Sequence, residues 1–588
     1  MRQAILSILI FSILISFSAC QKKHKKPDIS NFKTAFEQSE GVETETYASG
    51  IAFWKKLDEA FPQLKLLEYG TTDAGLPLHL AVLSSDEDFD PSSLQKEKKL
   101  IYMINNAIHP GEPDGVDATI MLYRDLLFAD NLEARLGEVV LIAIPFYNIG
   151  GALNRNTTSR ANQNGPPAYG FRGNAQNLDL NRDFIKMDSK NAQSFAEIFQ
   201  EWNPDLFVDT HVSNGADYQY VLTYLTTQEH KLGPKLGNYM RSKMIPNLKK
   251  QMMEKGQEMT PYVNVWGSVP DSGYVQFIDH PRYSTGYASL FHTLSFMTET
   301  HMLKSFAERT KATYAFLESL LKFGQENSEE IKKLRKEVIQ ESLFQKKFPI
   351  LWEVNRAKPE QIEFKGYEAS YLPSEVTTGQ RLFYDRSKPF TKTIPLYNTY
   401  ESKLTIKLPR AYIIPQAWHR VIKRLKKNAV AMERLKKDTT LEVGTYRIVD
   451  YKSRQAPYEG HYLHSNVQVE KESKRINFRK GDYLIHTNQR ANRFLVNVLE
   501  PQAVDSYFNW NFFDIILQRK EGYSAYVFED KAKELLAKNP QLKKAFDDKM
   551  LNEPDFAKSP GWQLFFIYSK SELAEAAYMR YPVYRVEK

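Results

Sequence analysis

The sequence predicts an α/β fold: an α/β/α sandwich built on a mixed, mostly parallel sheet, followed by an α+β C-terminal region. Three observations lead there. Between about Tyr47 and Lys322, short and wholly apolar runs alternate with amphipathic helical stretches, as in a sheet covered on both faces. From about Phe348 onward, strand-like segments dominate instead. The 588 residues are 42% hydrophobic and 26% charged, which excludes a disordered chain and a multi-span membrane protein.

The chain opens with a targeting segment. Arg2, the apolar run Ala4 to Phe17 and the small residues Ser18-Ala19 describe a secretory signal peptide over residues 1–19, too short to span a bilayer. Cys20 follows at once and looks like the lipidated residue of a bacterial lipobox. Residues 20–46 then read as a lipidated tether that begins with a basic stretch, Gln21 to Lys26. The expectation is an exported protein whose membrane partner is reached through an N-terminal lipid, on the periplasmic or outer-surface face of the cell envelope. Cys20 is the only cysteine, so there is no intrachain disulfide and no cysteine zinc site. Any metal must be held by His, Asp or Glu. The net charge of +8 comes without a dense Lys/Arg stripe interleaved with aromatics, so nucleic acid is not an expected partner.

The α/β region follows in order. Leu64 to Tyr69 and Leu76 to Leu83 flank Thr72-Asp73-Ala74-Gly75 and read as a hairpin. Lys99 to Asn105, Glu138 to Pro145 and Asp205 to Thr210 are buried strands, and Asp114 to Ala129 is a helix. Phe146 to Met187 has little periodicity and is rich in Asn, Gly and Arg; a long structureless stretch inside a compact domain is usually functional. A Lys- and Glu-dense helix runs from about Ser305 to Leu343, with residues 326–345 as a helical linker and a boundary near residue 345. Farther on, Lys403 to Leu408, Thr440 to Arg447 and Asp482 to His486 read as strands, and Tyr507 to Phe513 reads as packing for a small core.

Chemistry concentrates where strands end. Lys99 to Asn105 runs into Asn106-Ala107-Ile108-His109-Pro110-Gly111-Glu112-Pro113, placing an imidazole and a carboxylate three residues apart in a proline-stiffened turn. Open α/β sheets put ligands at the carboxyl ends of their strands. His211, at the end of another strand, supplies a third donor. Two His and one Glu leave a fourth position open, the catalytic form of a zinc site. Between them lies Asn177-Leu178-Asp179-Leu180-Asn181-Arg182, and Glu299 follows in Ser295 to Thr300 after an apolar run.

An H-x-x-E, a D-x-N-R element, a strand-end His and a later strand Glu, in that order, resemble the M14 family of zinc carboxypeptidases over residues 47–325. The resemblance implies one Zn²⁺ per chain held by His109, Glu112 and His211, with Asp179 orienting the His109 ring. It implies that Asn181 and Arg182 grip the free C-terminal carboxylate of a peptide substrate, the guanidinium matching it in a fork. Glu299 would be the general base, and Arg172, with Arg160 as competitor, would polarise the scissile carbonyl. A family tyrosine closes over the substrate; Tyr274, Tyr283 and Tyr287 qualify, with Tyr287 or Tyr283 favoured because Gly286 reads as a hinge. The implied activity is metallocarboxypeptidase. Peptidoglycan stem peptides also carry free carboxylates, so a murein peptide hydrolase or amidase is the first alternative. A surface-anchored binding protein with a vestigial peptidase domain is the second. Residues 346–588 lie outside the resemblance and have no assigned role.

Overall fold

The computed structural model describes residues 26–587. The leader, Cys20 and most of the basic stretch lie outside the described residues. No described helix is long and apolar enough to cross a membrane.

The described part of the expected tether is packed rather than hydrated. Thr34 and Glu37 form a capping box on the short helix Ala35–Gln38, and Phe32 meets Phe53, Phe61 and Phe128 edge to face. Phe32 and Phe36 are buried. Each buried phenylalanine contributes about 1.5–3 kcal/mol, enough to hold this segment against the body. Unlike Gln21 to Lys26, this segment carries its own aromatics, Phe32 and Phe36, and these pack it.

The body is an eight-stranded mixed sheet built from β1 (Leu64–Tyr69), β2 (Leu78–Leu83), β3 (Leu100–Asn105), β4 (Val139–Ile144), β5 (Leu206–Ser213), β6 (Leu222–Thr226), β7 (Met259–Pro261) and β9 (Leu294–His301), with β8 (Tyr274–Val275) outside it. The order is β1-β2-β4-β3-β5-β9-β6-β7. The central run β4, β3, β5, β9 is parallel, whereas β1/β2, β2/β4 and β6/β9 are antiparallel. Strand residues alternate between two cores. Tyr102, Ile104, Leu141, Val208 and Phe296 face one that includes helices Asp114–Phe128 and Phe306–Ser342. Ile101, Met103, Ile142 and Phe207 face the other, with helix Lys190–Trp202. That alternation in fully apolar strands is why the sheet is covered on both sides.

Helix Phe306–Ser342 is continuous across the expected linker apart from a non-helical residue, Asn327. Its second half is not a spacer: Ile331 and Val338 are buried, and the Arg335 guanidinium binds Asp205 at 2.8 Å where β5 begins.

The C-terminal region adds β10 (Lys347–Val354), β11 (Glu360–Pro373), β12 (Gln380–Tyr397), β13 (Tyr400–Lys407), β14 (Ala411–Ile414), β15 (Glu433–Arg434), β16 (Thr439–Ser453), β17 (His464–Phe478), β18 (Tyr483–His486) and β19 (Tyr584–Val586). Six of these form one sheet, β15-β18-β14-β19-β16-β17, while β11 and β12 make a long hairpin whose second strand pairs parallel with β8. Tyr507, Phe508, Trp510 and Phe513 are fully buried and join the second core, as core packing requires. That core is shared: Phe291, just before β9, stacks on Phe494 at 5.6 Å.

Candidate metal centre

β3 runs parallel to both β4 and β5, and the chain leaves it toward one side and returns on the other. The carboxyl ends of β3 and β5 therefore flank the switch point where such sheets bind ligands. Ala107 turns the chain out of β3 with a left-handed φ of 56°. An L-residue pays about 1–2 kcal/mol for that conformation, a strain typical of functional sites. The following turn closes with the Glu112 N–H donating to the His109 carbonyl at 2.8 Å. His211 extends from β5 itself.

These three side chains meet. His109 Nδ1 lies 3.2 Å from a Glu112 oxygen and 3.2 Å from His211 Nδ1, and His211 Nδ1 lies 3.1 Å from the other Glu112 oxygen. All three residues are buried. The far ring nitrogens are committed: His109 Nε2 pairs with Asp179 Oδ1 at 3.0 Å, and His211 Nε2 with Asp209 Oδ2 at 3.0 Å. With each Nε2 facing a carboxylate, both Nδ1 atoms are aimed at each other and at Glu112; against burial, Asp209 and Glu112 favour a proton on His211, whose place a metal ion would take. Three Lewis bases this close repel unless a cation lies among them, and the nitrogen and oxygen donors suit zinc. Among the described residues this is the one His/Cys/Asp/Glu group of three or more able to hold a metal.

Electrostatics follow from these contacts. Burial works to raise the Glu112 pKa, but the neighbouring His109 and Arg160 hold it well below the usual range. Burial likewise opposes ionisation of Asp179, which His109, Arg172 and Arg182 outweigh. Glu299 is different: burial, with Glu112 and Asp209 adding, pushes its carboxyl up to about 7 against the pull of His211 and Arg172. The parallel register pairs Glu299 directly with His211, one strand spacing away.

A cavity of about 480 Å³ opens over this centre and is lined by Glu299, Arg160, Arg172, Asn181, Arg182 and Tyr283 as well as the three donors. Both candidate arginines reach Glu112. Arg160 forms an ion pair with it and bonds Gln163 at 2.7 Å, while Arg172 bridges Glu112 at 3.5 Å and Asp179 at 2.9 Å. Arg182 stacks over the Tyr283 ring at 4.7 Å.

Tyr287 does not line the cavity. It is fully buried in helix Ser284–Ser289, where its hydroxyl donates to Asn428 at 2.7 Å. Gly286 is no hinge either; a Cβ there would lie 2.0 Å from the His280 carbonyl oxygen, so close packing requires glycine. Tyr274 is buried too, its hydroxyl donating to the Pro261 carbonyl at 3.2 Å. Asp209 was missed. Its signal was its place two residues before His211 on one strand, since side chains at that spacing share a face.

No protein-family model matches the chain. Curated relatives do. It is 22% identical over 445 residues to Carboxypeptidase 2 of Trichophyton rubrum, covering 73% of this chain and 76% of that protein. It is 22% identical over 424 residues to Probable carboxypeptidase 2 of Arthroderma benhamiae, covering 69% and 74% respectively. Among solved structures, a metallo-carboxypeptidase from Pseudomonas aeruginosa aligns at 16% identity with a TM-score of 0.36, over 47% of this chain and 68% of that one. The curated relatives thus bear the carboxypeptidase name. A match over 73% of the chain cannot be confined to residues before 346, so it includes part of the C-terminal region.

Proposed function

We propose that this chain is a zinc-dependent metallocarboxypeptidase that removes the last residue from peptides with a free C-terminal carboxylate, using one Zn²⁺ held by His109, Glu112 and His211. The observation that carries the reading is the convergence of two imidazole nitrogens and a carboxylate beside Glu299, in the lining of a cavity that also holds Arg182. When bound, the metal supplies the Lewis acidity that makes a water nucleophilic near neutral pH. Glu299 takes the proton of the attacking water at its carboxylate and delivers it to the leaving amine. Arg172 stabilises the oxyanion that develops on the scissile carbonyl. Asn181 and Arg182 hold the terminal carboxylate, with Tyr283 under the guanidinium. Asp179 and Asp209 fix the tautomers of the two ligating rings. We further hold the protein to be exported and lipid-anchored through Cys20, a reading that rests on the leader alone.

The cavity also indicates a side-chain preference. Its apolar lining includes Leu225, Tyr262, Phe277 and Met297, and the carboxylates that line it, Glu112 and Glu299, are assigned to the metal and to the water rather than to a basic side chain. Apolar C-terminal residues are expected to leave at least tenfold faster, in kcat/KM, than lysine or arginine, since one or two buried methylenes are worth about 1–3 kcal/mol. A degradation profile on a mixed peptide and muropeptide library measures this and tests the reading itself. Single-residue shortening of linear peptides supports it, and cleavage confined to muropeptides favours the murein alternative.

Arg182→Lys tests the carboxylate grip. Replacing a planar fork by a point charge is expected to cost roughly 10–100-fold in kcat/KM on free-acid peptides. Unchanged kinetics would remove Arg182 from the role.

A further inference from the structure

The C-terminal region reaches into the site from several directions. β16 and β17 are joined by a loop with a tight turn, in which Tyr458 and His461 exchange backbone hydrogen bonds of 2.8 and 3.0 Å while Glu459 and Gly460 take left-handed φ values of 51° and 77°. At the tip of that turn, the Glu459 carboxylate accepts the backbone N–H of Asp179 at 2.8 Å. Asp179 is the residue whose side chain holds His109 at 3.0 Å. Beside Glu459, His461 Nε2 meets Asp188 at 2.7 Å, and the Tyr458 ring lies beneath Arg282 at 5.6 Å and stacks on Trp510. Asp505 takes the same Arg282 guanidinium at 2.8 Å and its backbone N–H at 2.9 Å, fixing the residue next to Tyr283. On the β11–β12 hairpin, the Tyr371 and Tyr384 hydroxyls donate to the carbonyls of Gly267 and Ser268, adjoining the cavity residue Trp266.

We propose that the C-terminal region is a working part of the active site, and that Glu459 is a positioning residue that sets the Asp179 backbone and, through it, the His109 ring. This rests on the proposed zinc site for its metal arm and on the metallocarboxypeptidase reading for its kinetic arm. A carboxylate in a surface turn needs no buried partner, yet this one is half-buried and spends an oxygen on a single N–H 280 residues away in sequence. The bond fixes the first residue of the D-x-N-R element, so its loss loosens Asp179, Asn181 and Arg182 together.

The test uses the full-length protein with Glu459→Ala, Glu459→Asp and Glu459→Gln, read by zinc dissociation against a competing chelator and by kcat and KM separately. Glu459→Gln keeps an oxygen at the same reach and is expected to stay within threefold of wild type in both readouts. Glu459→Ala and Glu459→Asp, which remove or withdraw the acceptor, are expected to weaken zinc binding at least tenfold, in the range seen when groups supporting metal ligands are lost. They are also expected to lower kcat more than they raise KM. Wild-type zinc affinity in both Ala and Asp variants, or equal damage in the Gln variant, overturns the proposal. Should wild-type protein bind zinc but release no C-terminal residue, the functional reading fails while the zinc arm still decides the role of Glu459. Should Glu459→Ala fail to fold, the Asp and Gln pair carries the same comparison.

Discussion

Glu299→Gln is expected to keep its zinc and lose hydrolysis of free-acid peptides by roughly 10³–10⁴-fold in kcat, at the upper end of what a positioned general base contributes. The substitution is nearly isosteric and removes no metal ligand, so zinc content should match wild type. Burial already opposes charge on Glu299 and raises its pKa to about 7, so a neutral amide creates no new buried charge and stability should be preserved. The neighbouring Thr223 hydroxyl donates to the Glu299 backbone carbonyl at 3.0 Å, a bond the mutation leaves alone. Metal analysis, thermal unfolding and single-turnover kinetics together check this. A variant that retains wild-type kcat would dismiss Glu299 as the base, whereas one that loses zinc would show that its carboxylate belongs to the coordination sphere.

His109→Ala carries the second large effect, on metal binding. One of three protein donors disappears, and Asp179 is left facing a gap instead of an imidazole. Zinc affinity is expected to fall well beyond the roughly 10–100-fold that follows loss of a supporting group. Asp209→Ala, which removes only the partner of His211, is expected to fall inside that range. The ordering of the two is the informative result, because it separates a ligand from the residue that orients a ligand. Folding should survive in both, since the two large cores on either side of the sheet depend on apolar packing rather than on metal. Equal zinc content in wild type and His109→Ala, measured at saturating zinc after removal of excess, would contradict the assignment of His109, and a wild type that takes up no zinc would favour the vestigial reading.

Much of the site was legible because its parts end buried strands. β3, β4 and β5 announce themselves as apolar runs, and the turn His109 to Glu112 follows from where β3 stops, whereas His211 lies inside β5, which runs on to Ser213 past the expected end at Thr210. What escaped depended on three-dimensional neighbours. Tyr287 carried the same local signal as Tyr283, but its helix turns it into the aromatic layer of Phe184, Phe199 and Phe291. Asp209 was read as part of an apolar strand, when the alternation of strand faces places it behind His211. Arg160 and Arg172 could not be separated by spacing, and in the folded chain both contact Glu112. Glu459, Tyr458 and Asp505 were beyond reach: nothing local in a surface turn or an aromatic-rich stretch says that it will lie against a loop hundreds of residues earlier. The C-terminal region had an architecture in sequence and acquired contacts with chemistry only in the fold.

The most direct test of the account pairs two peptides identical except at the C-terminus, one a free acid and one an amide, with zinc-loaded enzyme and mass-spectrometric readout. The account predicts loss of a single terminal residue from the acid, slower turnover of the amide by at least tenfold, and abolition of both by a zinc chelator with recovery on adding zinc back. Equal cleavage of acid and amide, cuts at internal bonds, or activity indifferent to the chelator would contradict it.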